Sequence, residues 1–240
     1  MTHRRRRSIL ALGVVWLLIA DVATAGEYVL VLGKGIEVCE AFLKNLNSFP
    51  GDPPMVCERK VNPKFPEFSK PTWQPLDALK HLDLIEQIER WKPYETGFED
   101  PNRREEILTR IKERIANGDI RLATIELDIE QDGVSETVLK YEYAGCDPSN
   151  ESHFSGTSGR SFYVLTSDKT KLDKEKSGNF AIALRADMFL FNSRPYITVW
   201  AGNPGFKNGL LSIYRPFSLV GTQPGRCDYR YKAAKTRRQS

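Results

Sequence analysis

Histidine, cysteine and long apolar runs are all scarce in this chain of 240 residues, which contains three histidines and four cysteines. No C-x-x-C spacing occurs, so the paired cysteines of a typical zinc site are missing. The turn GKG at residues 33–35 lacks the G-x-x-x-x-G-K-[ST] frame that cradles nucleotide phosphates. The loop GTSGR at residues 156–160 departs from the G-x-S-x-G elbow of serine hydrolases. These absences argue against a zinc-finger protein, a P-loop enzyme and an α/β-hydrolase.

The longest apolar run, ILALGVVWLLIA at residues 9–20, is shorter than the about 20 apolar residues that a membrane span requires. The basic segment MTHRRRRS precedes it, and ATA at residues 23–25 follows with the small-x-small pattern that signal peptidase cleaves. We therefore predict a signal peptide at residues 1–25 and no membrane span after its removal. The arginine pair at residues 6–7 is compatible with twin-arginine export and equally with a generic basic segment, so the export route stays open.

A strong excess of one charge is also missing once the signal is removed. The whole chain carries a formal charge of +4, and the signal contributes a net +3 through four arginines and one aspartate. The mature chain is therefore near +1, which gives no basis for a nucleic-acid partner. The basic C-terminal tail RYKAAKTRRQS is typical of a disordered, solvated terminus.

All four cysteines follow the signal, and an even number of cysteines in an exported chain predicts two disulfides. Four cysteines allow three connectivities, among which the sequence alone does not choose. We expect Cys39–Cys57 and Cys146–Cys227, because each of these pairs falls within one structural region. The predicted location is periplasmic or secreted.

The first half of the mature chain, residues 26–118, is predicted to be helical and proline-rich. After the strand EYVLVLG, the segment IEVCEAFLKNLNSF places Val38, Phe42 and Leu46 every four residues, which is the spacing of an amphipathic helix. A proline-rich arm then leads to two more helical patterns, PLDALKHLDLIEQIERW and DPNRREEILTRIKERIANG. The first begins at a proline, and the second ends at Gly118, a residue type favoured directly after a helix.

From residue 119 to residue 240 the apolar pattern alternates, as it does in β-strands. Short alternating or aromatic segments follow one another between turn residues: RLATIELDI, TVLKYEY, SFYVLT, FAIAL, DMFLF, YITVW, LLSIY and CDYRY. Such a series predicts an antiparallel meander. The expected fold class is therefore α+β, with a helical N-terminal half packed on a C-terminal antiparallel β-meander and stapled by disulfides. The two regions are compatible with one compact unit or with two domains.

The stretch LDIEQDGVSE, residues 127–136, lies between two alternating segments and has two interpretations. The first is a β-hairpin with a three-residue loop at residues 131–133, in which Gly133 takes a positive φ. This register places Leu127 opposite Leu139 and keeps one face of the hairpin apolar. The acidic residues would then have no role beyond the turn.

The second interpretation is a calcium loop. The alternation of Asp128, Glu130 and Asp132, followed by Gly133 and Glu136, resembles the D-x-D-x-D-G-x-x-D loop of FG-GAP and VCBS-type β-repeat proteins. The resemblance covers about twenty residues around this stretch and does not extend to the rest of the chain. It implies that Asp128, Glu130, Asp132 and Glu136 supply oxygen ligands to Ca²⁺. No other cofactor is expected.

Catalytic candidates are few because the mature chain holds only His81 and His153. His81 lies in a helical pattern and is expected to be a surface or packing residue. His153 opens the serine-rich loop HFSGTSGRS, which lacks the supporting base and oxyanion hole of a serine nucleophile. Acidic residues are plentiful, but no spacing singles out a pair for glycoside hydrolysis.

These observations predict an exported, non-enzymatic binding module that acts on an unknown protein or glycan partner in the cell envelope. An inhibitor or immunity-type protein is one specific form of this hypothesis. The alternatives are a hydrolase of envelope polymers and an envelope structural or assembly factor. Aromatic residues of the second half offer either a core or a binding face: Phe189, Phe191, Tyr196, Trp200, Phe206, Tyr214, Phe217, Tyr229 and Tyr231.

Overall fold

The computed structural model describes residues 26–49, 59–92, 96–143, 159–178, 186–201, 210–216 and 226–232. The strands in these ranges are β1 (Glu27–Leu32), β2 (Phe68–Ser69), β3 (Gln74–Leu76), β4 (Ile120–Leu127), β5 (Glu136–Tyr143), β6 (Gly159–Val164), β7 (Asp187–Phe191), β8 (Arg194–Ala201), β9 (Leu210–Tyr214) and β10 (Cys227–Lys232). The helices are α1 (Glu37–Asn47), α2 (Leu82–Trp91), α3 (Arg104–Ala116) and α4 (Lys174–Ser177), with short 3-10 helices at Ala78–His81 and Pro101–Arg103. The predicted signal peptide, Cys57, Cys146, His153 and the segment FAIAL lie outside the described residues.

The strands form two antiparallel sheets. The six-stranded sheet has the order β1-β10-β9-β8-β7-β2, and the four-stranded sheet has the order β3-β4-β5-β6. Strands β7 to β10 follow one another as a meander, and so do β4 to β6. The edge strands β1, β2 and β3 all come from the first half of the chain.

The two sheets pack face to face, and helices cover their outer faces. One core cluster joins the facing surfaces, with Val138 and Phe162 of the four-stranded sheet against Met188 and Ile197 of the six-stranded sheet. A second cluster joins α1 to the opposite face of the six-stranded sheet. A third joins α2 and α3 to the opposite face of the four-stranded sheet. The order of layers is therefore helix, sheet, sheet, helices.

The predicted division into a helical first half and a β-rich second half is wrong. The protein is β-rich, and its few helices are short. The first half contributes strands to both sheets, because β1 pairs with β10, β2 with β7, and β3 with β4. The proline-rich arm supplies β2 and the start of β3. A proline is tolerated in β3 because an edge strand has one side free of ladder hydrogen bonds.

The predicted cysteine pairing is also wrong. Cys39 on α1 bonds to Cys227 at the start of β10, with 5.5 Å between their Cα atoms. Both expected pairs, Cys39–Cys57 and Cys146–Cys227, are excluded by this bond. The expectation assumed that partners lie in one region of the chain, whereas the β1–β10 pairing brings the two ends of the chain together. The Tyr229 hydroxyl adds a second link there, since it donates a hydrogen bond to the Cys39 carbonyl at 3.0 Å.

Helix α1 confirms the spacing argument made from Val38, Phe42 and Leu46, which are all buried. Phe42 stacks on Phe189 of β7 with 4.6 Å between the ring centroids. The opposite face of α1 is polar, as expected for a helix that covers a sheet. Among the described residues, no helix combines the length and apolar character that a membrane crossing requires.

Replacing Gly33 with alanine is expected to lower the free energy of unfolding by about 3 kcal/mol, through backbone strain and steric overlap. Gly33 has a φ of +96°, and a Cβ atom there would lie 2.5 Å from the Cys39 sulfur. Gly35 is the matched control, since its φ is +82° and a Cβ atom would meet nothing within 4 Å. Gly35→Ala is expected to cost about 1 kcal/mol, from backbone strain alone. Urea unfolding of both variants measures the difference, and equal losses would contradict the overlap with the sulfur.

Candidate functional site

The acidic stretch forms a wider loop than predicted. Strand β4 ends at Leu127 and β5 begins at Glu136, and these two residues are register partners. The expected three-residue loop, with Leu127 opposite Leu139, is therefore wrong. Leu139 instead pairs with Thr124, and the intervening residues 128–135 form the turn.

Side-chain carboxylates hold this loop together by accepting backbone hydrogen bonds. Asp128 accepts from the N–H groups of Asp132 at 3.1 Å and Gly133 at 3.0 Å, and Asp132 accepts from Val134 at 2.9 Å. Ile129 is buried in the core between the sheets, with 1% of its surface exposed. Gly133 has a φ of 87°, which confirms that part of the hairpin prediction. The loop is wide because Ile129 turns into the core.

The remaining two candidate ligands are paired with a lysine. Glu136 and Glu130 lie 2.6 Å and 2.9 Å from the Lys176 ammonium. Glu136 also accepts a hydrogen bond from the Ile129 N–H at 3.1 Å. These bonds raise the pKa of Lys176, so its ammonium is held in the charged form. Lys176 thus supplies positive charge where the calcium hypothesis places a metal ion.

Within the ranges that the structure describes, no three His, Cys, Asp or Glu side chains are grouped so that they could hold a metal ion. Calcium binding by Asp128, Glu130, Asp132 and Glu136 therefore stays a prediction from the sequence resemblance. A metal ion at this loop would have to displace Lys176 and release the backbone bonds of Asp128.

Thermal melts of the oxidised protein in calcium and then in EDTA are expected to coincide, because Lys176 already neutralises the glutamates of the loop. Differential scanning calorimetry measures both states on one sample. Lys176→Met is the control, and it is expected to melt at a lower temperature because Glu136 would keep a buried charge without a counter-ion. A rise in melting temperature with calcium, abolished by Asp132→Asn, would establish the metal loop instead.

The aromatic strands form a core and not an open binding face. Phe189, Phe191, Tyr196 and Tyr229 are buried in the cluster under α1. A broad aromatic surface available to a partner is therefore absent from this part of the described chain. Any ligand of these aromatics has to enter at the margin of the cluster.

A buried ion network bridges the two sheets. Asp187 of β7 binds Lys70 at 2.6 Å and Arg160 of β6 at 3.1 Å, and Arg160 binds Glu142 of β5 at 2.6 Å. Burial alone would raise the pKa of Asp187, but the two cations outweigh it and hold the pKa below its usual value. The pKa of Glu142 is lowered in the same way, because burial raises it and the neighbouring cations, Arg160 foremost, lower it more strongly. Both carboxylates are therefore ionised and paired, so neither is poised as a general acid.

A cavity of about 410 Å³ lies at the margin of the aromatic cluster. It opens between the first turn of α1 and the turn that joins β7 to β8. The α1 side is held on the sheet by the Phe42–Phe189 stack, and the turn is fastened by a hydrogen bond from the Asn192 N–H to the Glu67 carbonyl at 2.9 Å. The lining residues are Ile36, Glu37, Val38, Phe191, Asn192, Arg194 and Tyr196.

The backbone conformation of the β7–β8 turn sets the positions of its polar residues. Asn192 and Ser193 have φ values of 48° and 63°. Two successive residues with positive φ make the tight two-residue turn that matches the twist of a hairpin. Arg194 then begins β8, and Tyr196 follows two residues later on the same face.

Tyr196 combines a buried ring with an unpartnered hydroxyl. Its relative exposure is 6%, and its ring stacks on Phe189 with centroids 5.5 Å apart. No hydrogen bond joins the hydroxyl to any residue in the described ranges. Burial raises the pKa of the phenol, Arg215 and Arg194 oppose that rise, and Glu37 adds to it. The phenol is therefore a neutral group that both donates and accepts hydrogen bonds.

Glu37 and Arg194 bring opposite charges to the same cavity without pairing with each other. Both side chains are exposed, and neither forms an ion pair with a residue in the described ranges. Sequence reasoning missed this site, because Glu37 and the β7–β8 turn are far apart in the chain. The polar turn between two aromatic strands was the one local signal.

The other candidates of the sequence do not join this site. The carboxylates of Asp128, Glu130, Asp132 and Glu136 are at the β4–β5 loop, and His81 ends the 3-10 helix before α2. Comparison of the chain with protein-family models, with curated proteins and with solved structures finds no match. Inference about function therefore starts from the chemistry of the cavity.

Proposed function

We propose that this protein is an exported, non-enzymatic binding module that takes hold of a partner in the cell envelope through the cavity between α1 and the β7–β8 turn. The observation that carries the proposal is that Tyr196 lines a cavity and that its hydroxyl has no hydrogen-bond partner in the described part of the protein. The hydroxyl oxygen is not one of the fully buried atoms of the described residues, so a ligand is able to reach it.

Binding is favoured over catalysis by the residues that line the cavity. None of them is Ser, Thr, Cys, His or Lys, the side chains that serve as nucleophile or base in most covalent mechanisms. Glu37 is the one carboxylate in the lining, whereas glycoside hydrolysis uses two. Two carboxylates of the described sheets, Asp187 and Glu142, are ion-paired between the sheets.

Export is supported by two independent features. Residues 1–25 have the charge and hydropathy pattern of a signal peptide. The Cys39–Cys227 disulfide is of a kind that persists in oxidising compartments such as the periplasm or the extracellular space. An inhibitor or immunity-type role is one form of the proposal, in which the cavity takes a projecting group of an envelope enzyme.

The test uses immobilised mature protein and an envelope extract divided into a protein fraction and a protease-treated glycan fraction. Wild-type protein is expected to retain material from one fraction, and Arg194→Gln is expected to lose it. The matched control is Arg110→Gln on the exposed surface of α3, which is expected to retain as much as the wild type. Retention of neither fraction would overturn the proposal, and so would release of soluble fragments from the glycan by wild-type protein.

A further inference from the structure

We infer that the ligand of the cavity is a neutral sugar, bound as a terminal monosaccharide or disaccharide unit of an envelope glycan. The inference rests on the proposed function and names the chemical class of its partner. The competing class is the projecting group of a protein partner.

The charges at the cavity favour a ligand without net charge. The Glu37 carboxylate disfavours an anion, and the Arg194 guanidinium disfavours a cation. Because neither side chain is paired within the described ranges, both are available to hydrogen-bond a ligand. A carboxylate accepts and a guanidinium donates, so together they match a ligand that offers both hydrogen-bond donors and acceptors.

Sugar hydroxyls have that dual character at every ring position. Asn192 adds an amide, which presents a donor and an acceptor side by side, and Tyr196 adds a hydroxyl that performs either role. Four polar residues with four different functional groups thus line one cavity. The planar groups of Glu37, Asn192 and Arg194 are each able to bridge two adjacent hydroxyls.

The size of the cavity fits one or two sugar rings. The accessible lining is mostly polar, because Val38 and Phe191 are buried and Ile36 is half-buried. The volume of about 410 Å³ lies in the lower part of the range for small-ligand cavities, which is about 300–1,000 Å³.

The experiment is a titration of the mature protein with glucose, galactose, N-acetylglucosamine and cellobiose, followed by saturation-transfer NMR and calorimetry. Glucuronate and the dipeptide Gly-Gly are tested in parallel as an anion and a zwitterion. Tyr196→Phe and Arg194→Gln are each expected to weaken binding of the best neutral sugar about tenfold, the loss of one hydrogen bond to a polar ligand. Tyr231→Phe on β10 removes the same atom outside the cavity lining and is expected to leave binding unchanged.

The outcomes separate this inference from the proposed function. Binding of a neutral sugar that weakens in both cavity variants supports it, provided that their melting temperatures match the wild type. Binding of Gly-Gly or glucuronate alone would contradict the inference of a sugar ligand, and so would cavity-dependent retention of the protein fraction alone. Either result would still be consistent with the proposed binding function. Sugar binding that is unchanged in Tyr196→Phe and Arg194→Gln overturns the assignment to this cavity.

Discussion

Replacing Cys39 and Cys227 together with alanine is expected to lower the free energy of unfolding by about 5 kcal/mol, the entropy that a link across so long a loop removes from the unfolded chain. The two cysteines are separated by 188 positions. Their bond ties α1 to β10 and therefore closes almost the whole described chain. Denaturation in guanidinium, with wild type and variant both oxidised, measures the loss.

The slope of the denaturation curve distinguishes the lost link from lost packing. Removal of the link expands the denatured state, so the dependence of the unfolding free energy on denaturant is expected to steepen. Val38→Ala, at the neighbouring buried position of α1, removes apolar volume and no covalent bond. It is expected to cost about 2 kcal/mol with an unchanged slope. A double-cysteine variant with wild-type midpoint and slope would show that this bond does not form.

Asp187→Asn is expected to destabilise the protein by about 3 kcal/mol, because it removes one negative charge from a largely buried ion network and leaves positive charge in excess there. Asp187 binds Lys70 and Arg160 and also accepts hydrogen bonds from the N–H groups of Arg59 and Met188. Glu106→Gln is the matched control on the surface of α3, where two ion pairs are exposed. Its expected cost is at most about 1 kcal/mol. Equal losses in the two variants would contradict the role of burial.

The Asp187 carboxyl group also makes the stability of the fold depend on pH. The pKa of Asp187 is lowered in the folded protein, whereas the unfolded chain has the ordinary value of about 3.9. The contribution of Asp187 to the free energy of unfolding is therefore complete above the unfolded pKa, and it is lost as the pH falls through the folded pKa. The stability difference between wild type and Asp187→Asn is expected to narrow below about pH 4. Urea melts at a series of pH values measure this, and a constant difference would place the stabilisation elsewhere.

Local periodicity was sufficient to predict several elements. The four-residue spacing of Val38, Phe42 and Leu46 predicted α1, and Gly118, with a φ of +79°, follows α3 as expected. Strands β4 to β10 all fall on alternating or aromatic segments of the sequence. These elements depend on which face of a short segment is apolar, and that information is contained in neighbouring residues.

Sheet membership and register depend on distant or unusual contacts, and the sequence did not reveal them. The β4–β5 register is set by Ile129 turning into the core and by Asp128 bonding the loop backbone, neither of which follows from alternation. The sequence of β1 predicts a strand, but its position in the sheet is fixed only by its pairing with β10. The cavity was missed for the same reason, since Glu37 and Arg194 line the same cavity only once α1 has packed on the assembled sheet.

The pairing of β1 with β10 also constrains the order in which the protein can be completed. A chain made from its N-terminus presents β1 and α1 first, yet their neighbour in the sheet is the last strand described. Until β10 arrives, Cys39 has no Cys227 to bond, and both β1 and β9 are unpaired edges of the kind that recruit other chains. Truncation after β9 therefore leaves two open edges together with an unpaired thiol. Contacts between such distant segments also slow folding, so the edge of β1 is left open until the final strand is in place.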